Sequence, residues 1–421
     1  MRAIAFIFAG FLAQTASAQL PQVQLPQVAV PGVQVPALPD ATRAVGGALR
    51  DLTGARALRA DRLLREHRTE LDRDPGGDLV VRAEVVAIDI TAEALERALD
   101  AKFRVARTQD LPDLAVKITV LQTPEGVSAS RGLKRLRKLD PDGSYDYNHV
   151  YLDSGTENTV AAESKKSDGT HVYGGPGRVG LIDSGVDTRH QVFSGIRFHH
   201  SGCDGNLVPS PHGTAVAYLL INRNAVGEIY AADVYCGSPA GGAIDAVAAA
   251  FGWMARERVA VINVSLVGPR NKLMERMVKT LVERGHLIVA AVGNDGPAAP
   301  PLYPASYDGV IGVTAVDKNH RVLIEACRGK HVDFAAQGAD LEAAAAAPDV
   351  FVPVRGTSFA APFITALLGM DLAAPDPAKS QLVLAKWNGF ANDLGKRGRD
   401  EIYGQGELGD VGSTVLGEAN K

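Results

Sequence analysis

The stretch GTSFAAPFITALL, Gly356 to Leu368, decides how this chain is read. A small, flexible Gly-Thr pair leads into Ser358, and an apolar run at helical spacing follows. A serine in that setting stands where a helix begins. There the unpaired backbone N–H groups and the positive dipole end can stabilise an oxyanion. Taken alone the pattern says no more than an N-cap, because serine before a helix ordinarily caps it. Three other stretches turn the reading toward catalysis.

Asp183 ends the β-like run RVGLID and is followed by Ser184-Gly185, which lets the chain turn. A buried carboxylate there can hold an imidazole in one tautomer, although an Asp after a strand also serves simply as a turn residue. His212 opens HGTAVAYLLI, so its ring sits at a helix start, and its ordinary pKa near neutrality suits a general base. Asn294 lies in LIVAAVGNDG between Gly293 and Gly296, at a strand end, where a side-chain amide can donate to a developing oxyanion. The chain order Asp183, His212, Ser358 is one of three known for such a triad.

Around these residues β and α signals alternate. RVGLID, IRFHH, IYAADVY, VAVINVSL, HLIVAAV, GVIGVTAV and HVDFAA are short β-rich runs with little polar alternation, as buried parallel strands are. Helical patterns lie between them at His212 to Asn222, Ala243 to Arg258, Lys272 to Arg284 and Ser358 to Met370. The expected fold is a doubly wound α/β domain with a mostly parallel sheet and its site beyond the carboxyl ends of the strands.

Taken together, these stretches resemble the subtilisin-like serine proteases (subtilases). VGLIDSGVD resembles the family's aspartate motif, HGTAVA its histidine motif, GTSFAAPFITALL its serine motif, and AVGNDG with LYPASYDGVIGVTAVD its oxyanion-asparagine region. VINVSL resembles the substrate-binding strand, and the likeness runs from Arg178 to about Gly409. The resemblance implies that Ser358 is the nucleophile, His212 the base and Asp183 its orienter. The Asn294 amide and the Ser358 backbone N–H would form the oxyanion hole, and Ser265, Leu266, Val267 and Gly268 would bind substrate. Departures from the pattern are Ala215 and Tyr218 in the histidine motif, AAQG at Ala335 to Gly338, and Val267 where a glycine is usual. If Val267 lines the S1 cleft as that glycine does, small or flat P1 side chains are favoured.

Upstream, Arg2, the apolar run Ala3 to Leu12 and Ala16-Ser17-Ala18 read as a signal peptide over residues 1–18, cleaved after Ala18, and so as a secreted or periplasmic protein. A Pro-Val-Gln repeat over 19–40 reads as an extended spacer. Residues 41–77 read as a basic helical segment in which Leu49, Leu52, Leu58, Leu63, Leu64 and Leu71 lie among arginines, closed by Asp74-Pro-Gly-Gly77. Residues 78–151 show β-α-β-β-α-β order, a small α+β unit in which Thr91 caps the first helix. By order and position this unit resembles the family's inhibitory propeptide, whose C-terminal tail lies in the active cleft. That tail would be YDYNHVY, with the first cut after Tyr151, although cleavage anywhere from Tyr151 to Thr170 fits. A polar linker, 152–177, leads into the catalytic domain, 178–421.

A net charge of −4 and the absence of a basic run in the catalytic half give no reason to invoke nucleic acid. No segment has the roughly 18 uninterrupted apolar residues of a membrane helix. Three cysteines in an exported chain allow one disulfide, and Cys203 and Cys236 are the expected pair because each closes a β segment, which leaves Cys327 free. The resemblance implies structural calcium, yet no EF-hand-like loop or acidic cluster assigns its ligands. The reading is an exported serine endopeptidase made as a self-processing zymogen, acting on protein or peptide substrates and held by its own prodomain. Its rivals are a processing protease dedicated to one partner and a catalytically silent binding module. An esterase would need a G-x-S-x-G elbow, which Ser358 lacks.

Overall fold

The computed structural model describes residues 57–154, 156–157, 175–222, 225–238 and 242–409. The expected signal peptide, the spacer, the start of the basic segment, most of the linker and residues 410–421 lie outside the described residues.

The smaller, upstream part runs helix α1 (residues 57–66), β1 (Leu71–Arg73), β2 (Leu79–Ile88), α2 (Ala92–Asp100), β3 (Arg104–Leu111), β4 (Val116–Gln122), α3 (Ala129–Leu139) and β5 (Ser144–Asp153). After β6 (Thr156–Glu157) the larger part begins: β7 (Gly177–Asp183), β8 (Arg197–Ser201), α4 (Pro211–Ile221), β9 (Val226–Asp233), β10 (Gly242–Ala243), α5 (Ile244–Arg256), β11 (Val261–Val264) and β12 (Leu266–Val267). It closes with α6 (Lys272–Glu283), β13 (Leu287–Ala291), β14 (Val310–Val316), β15 (Phe334–Gln337), β16 (Leu341–Ala344), β17 (Phe351–Arg355), α7 (Ala361–Asp371) and α8 (Pro377–Phe390).

The main sheet has the order β15-β14-β13-β11-β7-β9-β8 and is parallel throughout. Successive side chains on a strand point to opposite faces, so each strand feeds two cores. On β7, Val179 and Leu181 join the core under α4 and α7, whereas Ile182 joins the core under α5 and α6. Both faces are covered, which is why these strands are apolar without alternation.

The same rule explains LVVRAEVVAIDI. In β2, Val85 and Ala87 pack with Leu121, Leu133 and Leu136 beneath α2 and α3, while Val86 and Ile88, with Ile118 and Val120 of β4, pack on Phe251 and Met274 of the large part's helices. The small sheet therefore uses one face for its own helices and the other for α5 and α6. Polar contacts fix the seam. Asp146 accepts from the Lys272 backbone N–H at the start of α6, 2.8 Å, and Arg107 bridges Glu84 and the buried Asp245. Thr91 caps α2 by accepting from the Ala94 N–H, as expected.

Three expectations are corrected. The basic helix does not reach Leu71: the described helix ends at residue 66, and Leu71 opens β1, paired antiparallel with Val81 of β2. A backbone turn at His67, whose carbonyl accepts from the Glu70 and Leu71 N–H groups, stops the helix and frees Leu71 to bury in the sheet. Helix α7 does not start at Ser358, which sits in a 3-10 turn, Thr357–Phe359, ahead of it. The linker does not begin directly after Tyr151, since Leu152 and Asp153 continue β5. The sequence reading also missed α8, although Asp376 caps it and Pro377 opens it, because Leu382 and Phe390 stay exposed and blur its apolar stripe. The disulfide joins Cys203 to Cys236, and Cys327 is buried and takes no part in it.

Candidate active site

The carboxyl ends of the central strands gather the expected residues. Asp183 is the last residue of β7 and fully buried. Its Oδ1 accepts from the Ser184 N–H (2.6 Å) and hydroxyl (3.1 Å) and lies 2.8 Å from His212 Nδ1. His212 stands in the first turn of α4, behind Pro211, with its ring tilted against Phe359. Gly213 donates its N–H to Ser184 Oγ at 3.0 Å, which ties the helix start to the strand end. A Cβ at Gly213 would lie 2.1 Å from the Ser184 carbonyl oxygen, so the residue after this histidine must be glycine.

Alongside, Asp233 ends β9 opposite Asp183 in the strand register. Burial, with the Asp183 charge added, pushes the Asp233 carboxyl above its ordinary pKa against the N–H bonds from Cys236 and Tyr235.

Ser358 is buried. Its hydroxyl donates to the Ser265 carbonyl at 3.2 Å, and Ser265 Oγ donates back to the Ser358 carbonyl at 3.1 Å. Asn263 on β11 supports this pair. It donates to Ser265 Oγ (2.9 Å) and accepts from Thr365 of α7 (3.0 Å). Asn294 follows β13, and its Oδ1 accepts from the Thr357 N–H at 3.1 Å. That bond fixes which end of the amide is the donor and turns Nδ2 outward. Nδ2 donates to the carbonyl oxygen of Ser154.

Ser154 is the residue that the upstream part delivers to this site. Its Oγ lies 2.9 Å from Ser358 Oγ, and its N–H donates to the Ser265 carbonyl at 3.4 Å. The strand leading to it is flanked on both edges. Val150 and Tyr151 pair with β10, and Leu152 and Asp153 pair with Val267 and Leu266 of β12. Beyond Ser154, Thr156 and Glu157 pair with Arg355 and Val354 of β17. The chain thus crosses the site between two strands of the large part, with the Ser154 carbonyl at the crossing point.

Tyr151, expected next to the nucleophile, instead lies three residues upstream in a closed pocket. Its hydroxyl donates to the Pro269 carbonyl at 2.9 Å, and Tyr235 donates to its carbonyl at 3.2 Å. Burial holds the phenol well above its ordinary pKa. A Cβ on Gly268 would lie 2.6 Å from the ring, so that glycine is what lets the aromatic side chain in. Val267 is buried and lines a cavity of about 350 Å³ with Leu152, Asp295, Ala298 and Ala299.

The structure pairs Asp183 with His212, gathers Ser265, Asn294 and Ser358 around Ser154, sets Leu266 and Val267 beside Asp153 and Leu152, and places Gly268 against the Tyr151 ring. Sequence reasoning missed Ser184, Asn263, Thr357 and Ser154. Asn263 left a signal, as a lone amide inside the apolar run VINV. Thr357 and Ser154 left none, because each acts through a partner distant in sequence, and Ser184, although beside Asp183, is singled out only by the Gly213 N–H that its hydroxyl accepts. Among the described residues one cluster has metal-like spacing, Cys203, Asp233 and Cys236, and the disulfide takes up both sulfurs. The calcium implied by the family resemblance finds no cluster of three carboxylates there.

The sequence model described as the Subtilase family matches residues 177–406. M-protease of Shouchella clausii (strain KSM-K16) is 27% identical over 323 residues, 71% of this chain and 78% of that protein. An alignment of that extent takes in part of the region before β7. Minor extracellular protease Epr of Bacillus subtilis (strain 168) is 28% identical over 245 residues, 54% of this chain and 37% of that protein, so the match spans well under half of Epr. Among solved structures, fervidolysin from Fervidobacterium pennivorans superposes with a TM-score of 0.66 at 18% identity, covering 80% of this chain and 61% of that one.

Proposed function

The chain belongs to the subtilase family, and from that premise we propose that it is an exported serine endopeptidase, made as a zymogen that cuts itself between Ser154 and Gly155. The observation that carries this reading is the seat of Ser154. Its carbonyl oxygen takes a hydrogen bond from Asn294, and its own hydroxyl sits 2.9 Å from that of Ser358.

In this reading Ser358 Oγ attacks the Ser154 carbonyl carbon. His212 takes the hydroxyl proton and passes it to the leaving nitrogen of Gly155. Asp183, bonded to Nδ1, fixes the tautomer that leaves Nε2 as the base, and stabilises the imidazolium. Charge developing on the Ser154 oxygen meets the Asn294 amide, which is already aimed at it by Thr357. Water, deprotonated by His212, then hydrolyses the Ser154 ester and restores Ser358. Ser154 is the P1 residue in this reading, Val267 pairs with Leu152 two residues before it instead of lining its side chain, and the tyrosine expected at P1 occupies the pocket beside Gly268. Export is supported by the Ala16-Ser17-Ala18 site and by the Cys203–Cys236 disulfide.

The test is the intact mass and N-terminal sequence of the exported protein, wild type beside Ser358→Ala. The expected result is a wild-type chain beginning at Gly155 and a variant that stays joined there. If both are cut alike, another protease matures the chain. If neither is cut, the silent binding module is the better account.

A further inference from the structure

We propose that Arg59, on a helix outside the α+β core of the upstream part, is a positioning residue for self-cleavage. It holds Asp153, the residue before Ser154, and supplies its counter-charge. This inference rests on the self-processing reading above.

Helix α1 lies against the tail. Ala60 and Leu63 bury with Leu71, Leu79, Val150 and Leu152, and Leu64 packs beside them. Its other side is tied to the small sheet by Asp61, which accepts from Arg73 at 2.5 Å. From this seat Arg59 Nη1 donates to the Asp153 carbonyl at 3.3 Å and forms an ion pair with the Asp153 carboxylate. One guanidinium therefore grips both the backbone and the side chain of the residue next to Ser154.

The surroundings explain why that grip matters. The Asp153 side chain is only 22% exposed, and its charge is felt, with that of Asp183, at the buried Tyr235 phenol. Asp153 thus brings a negative charge into a region that already holds the Asp183 and Asp233 carboxyls. Among the described residues, Arg59 is the cation that pairs with it. A carboxylate left partly buried without a partner is costly, and the strand carrying it would lift or shift. Because Ser154 follows directly, a shift there displaces the carbonyl from Asn294, and positional errors of this size slow catalysis steeply. The counter-ion travels with the prodomain and is lost with it. The mature enzyme should therefore accept its own Asp153 sequence better in the zymogen than as a separate peptide.

The experiment follows conversion of the full chain to the Gly155 form over time in wild type, Arg59→Glu, Asp153→Arg and the exchange of both. Thermal unfolding of the same four chains in the Ser358→Ala background checks that each folds. We expect Arg59→Glu and Asp153→Arg each to slow conversion tenfold or more, and the exchange to recover to within threefold of wild type. The mature enzyme from every Arg59 variant is the same molecule, and on separate peptides it should prefer Tyr-Leu-Ala-Ser-Gly to Tyr-Leu-Asp-Ser-Gly. Unchanged conversion in Arg59→Glu, or an exchange that fails to recover, overturns the positioning role while self-processing stands. A wild-type chain that never yields the Gly155 terminus overturns the reading beneath it instead.

Discussion

The chain is held very differently on the two sides of Ser154. Upstream, Val150 to Asp153 pairs with a strand on each edge, and Tyr151 is fully buried with its hydroxyl bonded to the Pro269 carbonyl. Downstream, among the described residues, Thr156 and Glu157 pair on one edge only, with β17. The upstream flank is also continuous with a whole sheet whose second face is packed on α5 and α6. None of those contacts depends on the bond after Ser154. In the proposed reading, cutting it leaves the upstream product seated as an inhibitor.

That asymmetry can be attacked where it is strongest. Tyr151→Ala removes a fully buried aromatic side chain, worth about 3 kcal/mol or near a hundredfold in affinity. Freshly converted protein should then hydrolyse a peptide at once, where wild type stays inhibited. If the variant is inhibited as tightly as wild type, the Tyr151 pocket is not what holds the tail. A smaller effect is expected from the opposite wall. Gly268→Ala places a Cβ against the Tyr151 ring, an overpacking of about 1–2 kcal/mol. It should weaken inhibition roughly tenfold alone and have little further effect when combined with Tyr151→Ala. Additive losses in the pair would mean that Gly268 acts elsewhere. The least effect belongs downstream. Glu157→Ala should change the conversion rate by less than about threefold, and a larger loss would show that the second flank contributes recognition as well.

Much of the site was legible because its parts are local. Asp183 with Ser184, His212 with Gly213, and Thr357 with Ser358 are neighbours in sequence, and each serves a strand end or helix start that its own stretch specifies. The close approach of Gly213 to the Ser184 carbonyl shows why such a motif tolerates so little change. The doubly wound order was legible for a related reason, since strands buried on both faces must be apolar throughout. The small unit was legible in order but not in extent. Leu71 sits among arginines and reads as helical until β2 supplies a partner for it.

The sequence by itself determined the class of chemistry. Four short stretches carry Ser358, His212, Asp183 and Asn294, and the strand ends that present them follow from local periodicity and turn residues. Only the tertiary structure decided which residue of the tail meets Ser358. Tyr151 is the conspicuous side chain of the tail, and nothing local sets it three residues short of the nucleophile. Register does that: Val267 pairs with Leu152 and Leu266 with Asp153, so Ser154 falls between Asn294 and Ser358. A strand's register is fixed by partners far away in the chain, and a slip of one residue would turn Tyr151 out of its pocket.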